Sequence, residues 1–244
     1  PHLPQLDGTA SHLFFGWYHG DGADIDGFAA SMPRMVRFVS EFGAQSVPSS
    51  ASFLDESQWP ALDWQRLVEH HGLQLEPFEQ HVPPGSFATF DAWRTATQRY
   101  QAQLLRHHIE TLRRLKYAPT GGFCFLSLAD PAPVVGWGVL DHQRVPKEAY
   151  HAVTEACRSV IVVADPMHTQ LLAGEALALD VHVISDLRHL LEQVRCTATV
   201  RWPGGSHQWA WVGDVPPDGC VRVGTVQFVV PDVAGGLWLD LTLE

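Results

Sequence analysis

The segment VRFVSEFGAQSVPSS (residues 36–50) ends an apolar β-type run on a single carboxylate, Glu41, and Phe42 and Gly43 follow at once. A carboxylate removed from water is costly unless it is paired or hydrogen-bonded. The position therefore predicts either a compensating partner or a use. In parallel α/β architectures functional groups gather at the C-terminal ends of strands, where loops vary over a rigid scaffold. A structural salt bridge or a rim position is the other reading of the same placement. The remaining reactive side chains carry weaker signals. DGADIDG (21–27) lacks the further oxygen ligands and the closing glutamate of an EF-hand loop, so a solvated loop is expected there. The histidine pairs 70–71 and 107–108 lack the i, i+4 spacing of a helical metal site and are expected on the surface.

Cys124, Cys157, Cys196 and Cys220 show neither a CxxC pair nor metal-ligand spacing. Cys196 and Cys220 could bridge two strands, but buried free thiols are expected, and nothing excludes a reducing cytoplasm as the compartment. No metal and no cofactor is implied.

Three near-continuous apolar runs must position Glu41: HLFFGW (12–17), MVRFVSE (35–41) and GFCFLSLA (122–129). Runs of this kind suit strands buried on both faces. Between the last two, Phe90, Trp93, Thr97, Tyr100, Leu104 or Leu105, Ile109 and Leu112 recur at helical spacing, with Thr89 as the N-cap and Asp91 in the first turn. This predicts a helix over about 90–116. A further helix starts near Pro146, which suits a first helical turn. Strands alternating with helices predict parallel βαβ units.

From about residue 159 the texture changes to VIVVAD, ALALDVHVIS, VRCTATVRW, HQWAWV, CVRVGTVQFVV and GLWLDLTL, separated by turn clusters such as WPGGS and PDVAGG. Six strands, several with period-2 alternation, predict a small antiparallel β-sandwich. Trp209 and Trp211 share one strand face there, where packing between sheets is favoured over a carbohydrate platform. The fold class is thus α/β followed by all-β.

Composition narrows the partners. Sixteen basic residues against 27 acidic ones give 244 residues a net charge of −11, with no Lys/Arg run of the kind that grips nucleic acid. No apolar stretch approaches the length of a membrane span. The opening PHLPQLDG has neither Met nor a signal-like apolar region and reads as a chain cut from something longer.

FVSEFGAQSVPSS resembles the nucleophile segment of glycoside hydrolase family 2, in its β-mannosidase branch, through Ser40, Glu41, Phe42, Gly43, Gln45, Ser46, Pro48 and Ser49. SHLFFGWYHGD is similar to that family's sixth-strand segment. GGFCFLSLADPAPVVGWGVLDHQRVPKEAYHAV is similar to its eighth strand and last helix, including Asp130, Pro133, Trp137, Lys147 and Tyr150.

The resemblance implies that residues 1–158 are the C-terminal portion of a (β/α)8 TIM barrel and residues 159–244 an immunoglobulin-like β-sandwich. It implies a retaining exo-glycosidase acting on terminal β-linked sugars, β-mannosides first and β-galactosides or β-glucuronides as the other candidates. Glu41 would be its nucleophile, and His12, Trp17, Tyr18 and Asp130 its substrate-binding residues. Retaining enzymes need a second carboxyl as acid/base, which in this family belongs to an Asn-Glu pair. The chain contains no asparagine, so that partner is expected from an upstream part of the same protein, and the isolated segment is expected to be inactive. Two positions depart from the family pattern: Ala10 stands where an acidic residue is usual, and Leu126 where a tryptophan is. A non-catalytic carbohydrate-binding relative is the alternative.

Overall fold

The computed structural model describes residues 10–167 and 170–244, so the opening segment PHLPQLDG lies outside the described residues. The chain forms two compact units, one ending at Cys157 and the other comprising Arg158–Glu244.

The first unit is built on a parallel three-stranded sheet in the order β1-β2-β3. Its strands are β1 (Ser11–His12), β2 (Phe38–Glu41) and β3 (Gly122–Phe123). The helices are α1 (Asp24–Ser31), α2 (Trp64–His71), α3 (Leu75–His81), α4 (Phe90–Arg114) and α5 (Glu148–Ala156). Thr89 caps α4 by accepting from the Ala92 N–H, and Asp91 occupies its first turn, where a negative charge complements the helix dipole.

The strands are shorter than their apolar runs. After His12 the chain turns within a few residues, with Gly16 at a positive φ of 73°. After Phe123 it leaves regular structure but still runs beside β2: Cys124 N–H donates to Val39 O at 2.8 Å and Leu126 N–H to Phe42 O at 2.9 Å. Phe123 and Phe125 of this run pack against the core around Val39 and Ile109, whereas Cys124 and Leu128 are exposed.

Helix α4 serves both cores. Trp93 and Leu104 pack with Trp17, Phe78 and Phe90. Leu105, Ile109 and Leu112 pack with Leu13, Val39 and Phe42. Its buried stripe also carries polar groups, Thr97, Gln98, Gln101 and His108, each of which needs a partner.

The histidine pair 107–108 departs from expectation, since neither ring is a free surface group. His107 Nε2 lies 3.1 Å from Asp26 Oδ2, and Arg114 lies 2.6 Å from Asp26 Oδ1. DGADIDG is therefore partly the start of α1, with Asp26 bound to α4 rather than solvated. Burial raises the Asp26 carboxyl, but the hydrogen bond and charge of His107 and the charge of Arg114 outweigh it and hold the pKa below the usual range. Among the described residues no group of three or more metal-ligating side chains occurs.

His108 is fully enclosed, with its ring 5.6 Å from that of Phe42 and its Nε2 3.2 Å from Gly22 O. Burial first, then the neighbouring His107, push its pKa down to about 4. An unfolded chain binds that proton near pH 6.5, so as pH falls the unfolded state takes up a proton that the folded state refuses. Stability is therefore expected to drop by about 3 kcal/mol between pH 6.5 and 4. Urea titrations at both pH values should show a smaller drop for His108→Gln, and equal drops would refute the assignment.

The second unit contains β4 (Val160–Ala164), β5 (Ala176–Ser185), β6 (Leu191–Trp202), β7 (Gly205–Val215), β8 (Cys220–Val229) and β9 (Trp238–Leu243). They form two antiparallel sheets, β4-β5-β8 and β7-β6-β9. Alternating residues, among them Val181, Val183, Ala198, Val200 and Val226, share one core. Trp209 and Trp211 pack against this core, and Trp211 lies over Gly224 of β8. None of the four cysteines forms a disulfide; Cys196 is buried as expected, whereas Cys124 and Cys157 are exposed and Cys220 is partly buried.

Candidate active site

Parallel pairing places His12 beside Glu41 at the C-terminal ends of β1 and β2. His12 Nδ1 lies 3.3 Å from Glu41 Oε2, with 52% and 41% of the two side chains exposed. The carboxylate is thus half open to solvent and holds an imidazole partner. The cost expected of a buried, unpaired glutamate is absent here, which leaves the group free to face a ligand. Its backbone is fixed from both sides, since Leu13 N–H donates to Glu41 O at 2.9 Å and Phe42 is fully buried.

The loop after Glu41 is held by the polar stripe of α4. Gln101 donates to Ala44 O at 2.9 Å and to Trp137 O at 3.0 Å, and it accepts from Ser46 Oγ at 2.7 Å. Thr97 Oγ1 accepts from Val47 N–H at 3.1 Å, and Gln98 donates to Val47 O at 2.9 Å. Gly43 is required: its φ is +144°, and a Cβ there would stand 2.8 Å from Leu126 O. The segment after β3 can therefore press against the glutamate loop. Gln98 and Gln101 escaped sequence reasoning because a helical pattern weighs apolar positions, and only the fold reveals a strand-end loop needing donors.

Trp17 and Tyr18 are neighbours with opposite fates. Trp17 is 1% exposed, with its ring 5.1 Å from Phe78 and 5.8 Å from Trp137. Tyr18 is 46% exposed and packs its ring against Phe14 at 5.2 Å and Trp137 at 5.9 Å. Trp137, half-buried, joins these rings to the glutamate loop, because its carbonyl accepts from Ser127 N–H at 3.1 Å and from Gln101. Trp17 thus backs an aromatic wall whose open member is Tyr18.

Asp130 is buried, 2% exposed, and forms an ion pair of 2.8 Å with the fully enclosed Lys147. Gly138 N–H donates to its Oδ1 at 2.7 Å. Burial lowers the Lys147 pKa, and the charge of Asp130 partly offsets that effect. Lys147 also reaches Ser46 O at 3.4 Å and Gly136 O at 3.3 Å, so the pair fastens the glutamate loop to the segment after β3. The structure therefore brings His12 and Glu41 together, sets Tyr18 on an exposed wall, and places Trp17 and Asp130 within the packing behind.

No protein-family model matches the chain. No curated protein matches it either. Solved structures do. A β-D-mannosidase from Dictyoglomus thermophilum superposes with a TM-score of 0.70 at 20% identity, covering 97% of this chain and 29% of that one. An exo-chitosanase from Amycolatopsis orientalis superposes with a TM-score of 0.60 at 15% identity, covering 97% of this chain and 28% of that one. The same exo-chitosanase in complex with PNP-β-D-glucosamine gives 0.59 at 15% identity and 28% of its length. The chain spans less than a third of the length of these proteins, and what it shares with them is a fold.

Proposed function

We propose that this chain is the C-terminal part of a glycoside hydrolase of the family 2 type, and that the complete protein cleaves terminal β-linked sugars with retention, β-mannosides first. The observation that carries this reading is the His12–Glu41 pair at adjacent strand ends, in the sequence context SEFG, with the carboxylate half open. On this reading residues 1–158 close a (β/α)8 barrel and residues 159–244 form an immunoglobulin-like domain.

The ionised Glu41 carboxylate attacks the anomeric carbon as the bond to the leaving oxygen breaks, and an acid from the upstream part gives that oxygen a proton. The same group, now a base, takes a proton from water, which attacks the anomeric carbon and releases Glu41. An imidazole beside the nucleophile helps hold the carboxylate oxygen in place, while Tyr18 and the aromatic wall meet the sugar. Trp17, Asp130 and Lys147 support that surface from behind.

A 2-deoxy-2-fluoro β-mannoside with a good leaving group tests the assignment. Incubated with the complete protein, it should inactivate with first-order kinetics and leave a covalent mass on the peptide containing SEFG. Labelling at any other carboxylate of an active protein would end the assignment of Glu41.

A further inference from the structure

We infer that Gln74 is a positioning residue that fixes Tyr18 as a hydrogen-bond donor to a sugar oxygen; this rests on the reading of the site as a glycosidase cleft. Gln74 lies between α2 and α3, in the segment that follows the glutamate loop. Its main-chain N–H donates to Gln45 Oε1 at 3.0 Å, and Gln45 Nε2 donates to Gly72 O at 2.8 Å, so this segment is tied to the loop that follows Glu41. Its side chain has two partners: Trp17 Nε1 stands 2.7 Å from Oε1, and Tyr18 Oη stands 2.6 Å from Nε2.

The donor directions follow from chemistry. An indole N–H can only donate, so the amide oxygen must face Trp17. That settles the amide orientation, which heavy-atom positions alone leave open. The amide nitrogen then faces Tyr18, and because it too can only donate, the phenol oxygen accepts. Tyr18 keeps its single O–H proton unspent.

The ring is held against Phe14 and Trp137, and the residue is 46% exposed. The residue is therefore substantially exposed, and its hydroxyl keeps its donor free with one acceptor site already used. Trp17, buried and donor-only, is what imposes this polarity. Such a group selects a ligand atom that accepts, a sugar hydroxyl or ring oxygen.

The test uses the complete enzyme with Gln74→Glu and Tyr18→Phe, singly and together. In Gln74→Glu one carboxylate oxygen still accepts from Trp17, but the other accepts the Tyr18 proton and reverses its polarity. Each single change should lower kcat/KM for an aryl β-mannoside by roughly tenfold, the scale of one hydrogen bond, and the double variant should lose no more than either. Among monodeoxy aryl β-mannosides, one position should penalise the parent enzyme and leave Gln74→Glu unaffected; a merely structural role would not produce this. Activity that Gln74→Glu leaves unchanged, or losses that add in the double variant, would overturn the inference alone. Absence of hydrolysis of every β-glycoside by the parent enzyme would overturn the functional reading and this inference with it.

Discussion

Glu41→Ala in the complete enzyme is expected to lower the hydrolysis of an aryl β-mannoside by roughly four orders of magnitude or more, the scale of removing a covalent nucleophile. Azide is expected to restore part of the rate. The truncated side chain leaves room beside the anomeric carbon, and a small anion can attack from the face the carboxylate used. The product should be the inverted, α-configured glycosyl azide. If Glu41 were the general acid, azide would instead attack a glycosyl-enzyme and the product would be β. A structural role predicts neither. Because the His12–Glu41 pair is substantially exposed, its contribution to stability should stay within about 1 kcal/mol, so a thermal melt of Glu41→Ala should lie close to that of the parent. A variant that melts far below the parent and gives no azide product would mark Glu41 as a structural residue.

Lys147→Met is expected to destabilise the first unit by about 3–5 kcal/mol, because it leaves the Asp130 carboxylate buried without its counter-charge. The loss should extend to activity, since Lys147 also holds the Ser46 carbonyl of the glutamate loop. Replacing both partners together, Asp130→Leu with Lys147→Met, removes the uncompensated charge and should recover much of the stability. Denaturant titration of the single and double variants measures the coupling. A double variant no more stable than Lys147→Met alone, or a Lys147→Met protein as stable as the parent, would show that the pair does not carry this energy.

Much of the candidate site was legible wherever the signal was local. The strand-terminal Glu41 followed by Phe42 and Gly43 marked a candidate position, and Gly43 takes a positive φ with no room for a side chain. Helix α4, with its Thr89 cap, was legible because a 3.6-residue period and a capping hydroxyl are both properties of a short stretch of chain. The alternation that marks β4 to β9 is local in the same way. Gln74 had no such signal: a glutamine in a short connection between helices looks like a surface residue until the fold brings Trp17 and Tyr18 to it. Buried His108 lies on the same helical stripe as Leu104, Leu105 and Leu112, but its residue type pointed to the surface.

Sequence by itself determined the long helix α4, the strands β4 to β9 and where one carboxylate ends an apolar run, since backbone periodicity and residue type depend on neighbours a few positions apart. Tertiary structure alone decided which groups meet. The register between β1 and β2 puts His12 at Glu41, 29 positions away, and Asp130 finds Lys147 only because the chain after β3 folds back under the glutamate loop. It also decided that Trp17 is enclosed and Tyr18 exposed, a difference that one step around a turn produces and no pattern of hydrophobicity distinguishes. Pairings of this kind depend on closing long loops onto a packed core, where burial and hydrogen-bond satisfaction of distant residues are settled together.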